Sequence, residues 1–176
     1  MTLMNAKVPI LGFAAFSGTG KTTLLTQIIP LLTADGLRVG LIKHSHHDIQ
    51  IDQPGKDSYR LREAGASPVM LVSSHRRAII TEFPSIREPE LDEQLLALDQ
   101  SVLDLVLVEG FKATKFPKIE LHRPDMGKPL LYPDDPSIVA IATDVALTTP
   151  GYLVQLDLNQ PALIADYIVK QMVKPR

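Results

Sequence analysis

The sequence predicts a three-layer α/β domain with a mostly parallel central sheet and one added β-hairpin. Three observations carry this expectation. Short apolar runs alternate with helix-period segments along the chain. One run, Val102–Val108, is apolar at nearly every position, as suits a central parallel strand covered on both faces. Two further runs, Pro68–Val72 and Ala78–Ile80, flank a polar stretch and read as two strands of a hairpin.

The elements follow in order. Val8–Phe16 is the first buried strand. A helix is expected from Lys21 toward Leu32, with Pro30 able to kink it or end it early and Gly36 as its stop. Leu37–Ile42 reads as the second strand and Lys43–Gly55 as a loop. A helix over Lys56–Ala64 stops at Gly65, and the hairpin follows. Leucines at 91, 95, 96 and 98 give Glu90–Asp99 a helical face. Lys118–His122 and Ser137–Thr143 are further strands, and Tyr152–Leu156 is an edge strand. Met126–Pro136 reads as an exposed loop. The last helix runs over Pro161–Val173, with proline suited to its first turn.

The chain of 176 residues is 45% apolar and 22% charged. That supports a sizeable core and a single domain. The net charge of −2 argues against a protein built mainly to hold nucleic acid. Residues 1–80 carry nine Lys/Arg against five Asp/Glu, and residues 81–176 carry nine against fifteen. There is no cysteine, so disulfides, thiolate zinc sites and cysteine nucleophiles are excluded. Val8–Phe16 is too short to cross a bilayer and lacks signal-peptide organisation. A cytoplasmic protein is the expectation.

Chemistry concentrates between the first strand and the first helix. The run Ser17, Gly18, Thr19, Gly20, Lys21, Thr22, Thr23 fits a phosphate-binding P-loop. Glycines let backbone N–H groups converge on an anion, and the opening helix adds unpaired N–H groups and its positive dipole end. Lys21 would reach the β- and γ-phosphates, and the Thr22 hydroxyl would ligate Mg²⁺. The general pattern asks for glycine at position 15, where this chain has Ala15. Alanine there demands a negative φ.

In parallel sheets ligands bind beyond the carboxyl ends of the strands, and three such ends carry polar residues. Glu109, after Val102–Val108, resembles a Walker B acid that holds Mg²⁺ directly or through water. The usual residue is aspartate, and Asp104 comes too early in the strand. Asp144, after Ile138–Ala142, can accept two hydrogen bonds from guanine or cap a turn. No Asn-Lys-x-Asp motif is present. The run Lys43–Asp48 can bind a metal, act as a switch segment, meet a second ligand's phosphate, or be an inert loop. Asp48 or Glu109 is the candidate to orient a water. Arg76 and Arg77 suit an exposed hairpin turn.

Four segments together resemble the family of molybdopterin-guanine dinucleotide biosynthesis protein B, MobB. They are Phe13–Leu24, Gly40–Asp48, Pro54–Tyr59 and Leu107–Lys112, in this order. Ala15 is consistent with that family. The resemblance implies a P-loop NTPase fold, GTP and Mg²⁺ binding, weak GTP hydrolysis and a homodimer. It implies an adapter role beside the molybdopterin guanylyltransferase MobA, with molybdopterin or its guanine dinucleotide as a further ligand. A P-loop small-molecule kinase, a metallochaperone-type GTPase and a metal-carrying module are the alternatives that the motifs leave open.

Overall fold

The computed structural model describes residues 3–45 and 49–173. Its contacts divide the chain into two compact units, residues 1–44 with 89–176, and residues 45–88.

The larger unit is built on a six-stranded sheet. Its strands are β1 (Ile10–Ala14), β2 (Val39–Lys43), β5 (Leu105–Glu109), β6 (Lys118–His122), β7 (Ile138–Thr143) and β8 (Val154–Asp157). They lie in the order β2-β5-β1-β6-β7-β8, and every pairing is parallel. Consecutive side chains of a strand face opposite layers. Leu11 and Phe13 of β1, with Leu105, Leu107, Ile119, Leu121, Ala140 and Ala142, therefore meet helices α1 (Lys21–Ala34) and α4 (Pro161–Met172). Ile10, Val106 and Val108 face the other way, onto Leu91, Leu95, Phe111 and Phe116. On that second face β6 departs from the apolar rule: Lys118, Glu120 and His122 are all buried.

Helix α1 runs through Pro30 to Ala34 without stopping. Gly36, at φ +83°, closes it through Gly36 N–H to Thr33 O and Leu37 N–H to Leu32 O. The helix expected over Glu90–Asp99 is a single turn, α3 (Leu91–Gln94), followed by 3₁₀ turns over Leu95–Ala97 and Gln100–Val102. The Asp99 carboxylate accepts the Ser101 N–H, a local bond that competes with helix continuation. The strand expected from Val102 begins only at Leu105, because Asp104 turns aside to accept the backbone and guanidinium N–H groups of Arg38. The loop expected at Met126–Pro136 is not fully exposed. Leu130, Leu131 and Tyr132 are half-buried against Ile138, Ile141 and Leu153.

The smaller unit holds α2 (Asp57–Glu63) and the antiparallel hairpin of β3 (Val69–Val72) and β4 (Arg77–Ile80). Val69, Leu71, Ala78 and Ile80 are half-buried, while Met70, Val72 and Ile79 on the opposite face are exposed. Asp52 and Glu82 both pair with Arg62, at 3.4 and 2.6 Å.

Candidate functional site

β1 ends at Ala14, and Ala15 is buried in the core beneath α1. Among the described residues Phe111 is the only non-glycine with positive φ, so Ala15 meets its requirement without strain, and its methyl replaces part of the core. The chain then turns through Gly18 (φ +83°) and Gly20 (φ +101°), the latter capping α1. Left-handed backbone at both points is what glycine permits. Thr19 turns its hydroxyl inward, donating to Phe16 O at 2.9 Å. Ser17 and Gly18 are exposed on the rim.

Lys21 lies on the first turn of α1, and its ammonium donates to Ala15 O (3.1 Å) and Phe16 O (3.2 Å). Burial lowers its pKa below the usual lysine value; Glu109 opposes this, and the nearby Lys112 and Lys43 add to it. These neighbours show that the strand ends converge. Lys21 thus senses one carboxylate, Glu109, and two further cations, Lys43 and Lys112. Thr22 and Thr23 are exposed beside it. Thr22 and Glu109 supply hard oxygen donors, the chemistry Mg²⁺ prefers.

Backbone geometry fixes Glu109. It stands opposite Lys43 in the β2–β5 register and opposite Phe13 in β1. Its carboxylate lies 3.3 Å from the Lys43 ammonium, and its carbonyl accepts the His44 N–H at 2.8 Å. The chain then takes left-handed conformations at Gly110 (φ +102°) and Phe111 (φ +51°). A Cβ at Gly110 would stand 2.6 Å from the His44 Cβ, so glycine is required twice over, by conformation and by space. For a bulky residue such as Phe111 positive φ is a costly outlier. It is held by burial of the ring and its contact with the His44 ring at 4.8 Å between centroids. The tight turn leads directly into Lys112, which joins the P-loop cluster.

On the other side of the loop lies a cavity of about 430 Å³, lined by Gly18, Thr19, Gly20, Gln27, Arg123 and Asn159 among others. Its two sides come from α1 and from residues after β6 and β8. Arg123 is the residue that sequence reasoning missed. It donates to Thr19 O at 3.2 Å and pairs through its guanidinium with one oxygen of Asp144. The other Asp144 oxygen is buried without a hydrogen-bond partner. Asp144 thus lies behind Arg123, which lines the cavity. The available signal was position: Arg123 immediately follows the strand Lys118–His122.

Asp48, with His46 and His47, lies outside the described residues. Among the described residues no group of three or more His, Asp or Glu side chains is placed to hold a metal ion, and no helix is long and apolar enough to cross a membrane.

Comparison with known proteins adds a family to this geometry. Residues 10–144 match the family described as MobB, molybdopterin guanine dinucleotide synthesis protein B. The chain is 50% identical over 170 residues to the molybdopterin-guanine dinucleotide biosynthesis adapter protein of Escherichia coli strain K12, covering 95% of each chain. It is 48% identical to the adapter protein of the same description from Haemophilus influenzae, covering 94% of this chain and 90% of that one. A crystal structure of molybdopterin-guanine biosynthesis protein B superposes with a TM-score of 0.71 at 26% identity, over 92% of this chain and 98% of that chain. Bacillus subtilis MobB shares the fold, with a TM-score of 0.72 at 24% identity over 96% and 99%.

Proposed function

The chain belongs to the MobB family, and on that premise we propose that it is a guanine-nucleotide-binding adapter in the synthesis of molybdopterin guanine dinucleotide. The observation that carries the nucleotide half is the loop itself. Gly18 and Gly20 curl the backbone before α1, and Lys21 stands at its mouth among converging strand ends. A triphosphate would replace the two carbonyls that Lys21 now contacts. The helix N-terminus and the lysine cluster would hold its charge.

Thr22 and Glu109 would hold Mg²⁺, which supplies charge neutralisation at the phosphates when bound. The cavity beside the loop is a place for the base. Arg123 forms part of its wall, and Asp144, with one buried oxygen lacking a partner, is the candidate reader of guanine. Reaching the base requires Arg123 to release or share its carboxylate. Hydrolysis is expected to be slow, because no arginine finger or water-aligning glutamine has been identified, and such groups carry large rate factors. Asp48 and Glu109 remain the candidates to orient the water.

As an adapter the chain would work beside the molybdopterin guanylyltransferase MobA, in the cytoplasm and as a homodimer. The exposed apolar face of the hairpin, Met70, Val72 and Ile79, favours the homodimer. A two-stranded ribbon with one open apolar face gains by covering it. The reading is tested by reconstitution: molybdopterin, MobA, Mg²⁺ and GTP, with this chain absent, wild type, or Lys21→Ala. Wild type should raise the yield of guanine dinucleotide and Lys21→Ala should not. A Lys21→Ala protein as active as wild type would separate the adapter role from the P-loop.

A further inference from the structure

The sheet places Arg123 and Asp144 side by side. In the β6–β7 register His122 stands opposite Thr143, so the next residue of each strand leaves the sheet at the same end. The Arg123 guanidinium donates to one oxygen of Asp144 and, through Nε, to the carbonyl of Thr19 in the loop before α1. One side chain thus ties the candidate base reader to the candidate phosphate loop.

Neither group of the pair is fully engaged. A guanidinium has more N–H donors than two contacts use, and a carboxylate accepts on both oxygens. Among the described residues Arg123 donates only through Nε and one Nη. Its side chain is 36% exposed, on the wall of the cavity beside the loop. Asp144 accepts on one oxygen, and the other is buried without a partner. An unpaired buried acceptor costs free energy that a fuller set of donors would recover.

The cavity decides which ligand can supply that set. Gly18, Thr19 and Gly20 line it together with Arg123, so an anion held by the loop N–H groups lies beside the guanidinium. A neutral base arriving alone would displace a cation from Asp144 and leave that cation unpaired. A base that arrives with phosphate removes the conflict. Arg123 turns to the phosphate, which a guanidinium fork fits well, and both Asp144 oxygens become free for a pair of ring N–H donors.

We propose that Arg123 is a specificity residue: it masks Asp144 in the empty protein and surrenders it when phosphate occupies the loop, so that base discrimination is coupled to phosphate binding. The inference rests on the nucleotide reading above and adds a linkage between the two halves of the ligand. Such coupling is reciprocal. Whichever half breaks the Arg123–Asp144 pair makes the other bind more tightly.

The test uses the full chain and supplies the two halves separately. Guanosine and adenosine are titrated by saturation-transfer NMR, with and without saturating inorganic pyrophosphate and Mg²⁺. Three proteins are compared: wild type, Arg123→Met and Arg123→Lys. In wild type, pyrophosphate should tighten guanosine at least threefold and leave adenosine within twofold. Arg123→Met should bind guanosine at least fivefold more tightly than wild type, and equally with or without pyrophosphate. Arg123→Lys, which keeps a cation, should retain part of the coupling. A purely structural role would instead weaken every ligand alike in Arg123→Met. Guanosine that binds wild type no better with pyrophosphate than without would overturn the inference, as would Arg123→Met with the wild-type coupling intact. A parallel titration with GTP and ATP tells which reading has failed. A wild type that prefers GTP keeps the nucleotide reading while the coupling falls, and one without that preference loses both.

Discussion

Replacing Lys118 by methionine removes a buried cation while keeping a side chain of similar length between Gly12 and Phe116. That packing is tight: a Cβ on Gly12 would stand 2.9 Å from the Lys118 Cγ and 2.7 Å from the Phe116 ring. The loss is therefore electrostatic rather than a cavity. Breaking a fully buried pair costs about 3–5 kcal/mol. Asp135, its partner at 2.8 Å, is a quarter exposed, so water recovers part of its solvation, and about 2–3 kcal/mol is expected once that screening is discounted. With a urea m-value of about 2 kcal/mol/M, the midpoint should fall by roughly 1–1.5 M at pH 7.

A pH series sharpens the test. Burial pushes the Asp135 carboxyl up, but hydrogen bonds from Lys118 and Ser137 outweigh it and leave the pKa below the usual 3.8. A lowered carboxylate contributes stability above its unfolded pKa and loses it as pH falls through the folded value. The wild type should show that acid loss below pH 3.8, and the Lys118→Met protein should show less of it. A urea midpoint unchanged within 0.3 M, with the acid limb intact, would refute the view that the Lys118–Asp135 pair stabilises the fold.

Four further outcomes follow from the same geometry. Gly110→Ala should cost about 2–4 kcal/mol, from a left-handed φ and a methyl driven into His44; thermal melts measure it, and a neutral result would mean the turn after Glu109 can relax. Asp144→Asn should weaken GTP more than ATP in parallel titrations, and an unchanged preference would remove Asp144 from base reading. Because burial lowers the Lys21 pKa, nucleotide affinity should decline as pH rises through a value below 10.5, and a Lys21→Arg protein should lack that decline; a profile flat to pH 10.5 in wild type would contradict it. Met70→Asp/Ile79→Lys should convert a dimer to a monomer in light scattering, and an unaltered mass would place any interface elsewhere.

The legible parts of the fold were those set by local pattern. Lys118–His122 was expected as a strand and is one at those bounds, and the hairpin was read from two short runs about a polar turn. Pro30 misled because proline was expected to disturb α1, yet the helix continues to Ala34. The Glu90–Asp99 helix misled because its leucine spacing ignores Asp99, whose side chain captures the Ser101 N–H. At the site, Gly18, Gly20, Lys21 and Glu109 were readable because local motif and strand end coincide. Arg123 was not, because its place arises from long-range convergence onto Thr19 and Asp144. The buried Lys118 and Glu120 were hidden by the same cause: a strand pattern reports alternation, not which charges a neighbouring loop will satisfy.

Everything proposed for this chain depends on a guanine nucleotide held by the loop before α1. The measurement that tests it most directly is calorimetric titration with GTP, ATP and CTP in Mg²⁺, for wild type and Lys21→Ala. Wild type should bind GTP saturably and more tightly than ATP or CTP, and Lys21→Ala should lose at least tenfold. Equal or preferred ATP binding would contradict the guanine assignment, and no nucleotide binding by the wild type would contradict the phosphate-binding loop itself.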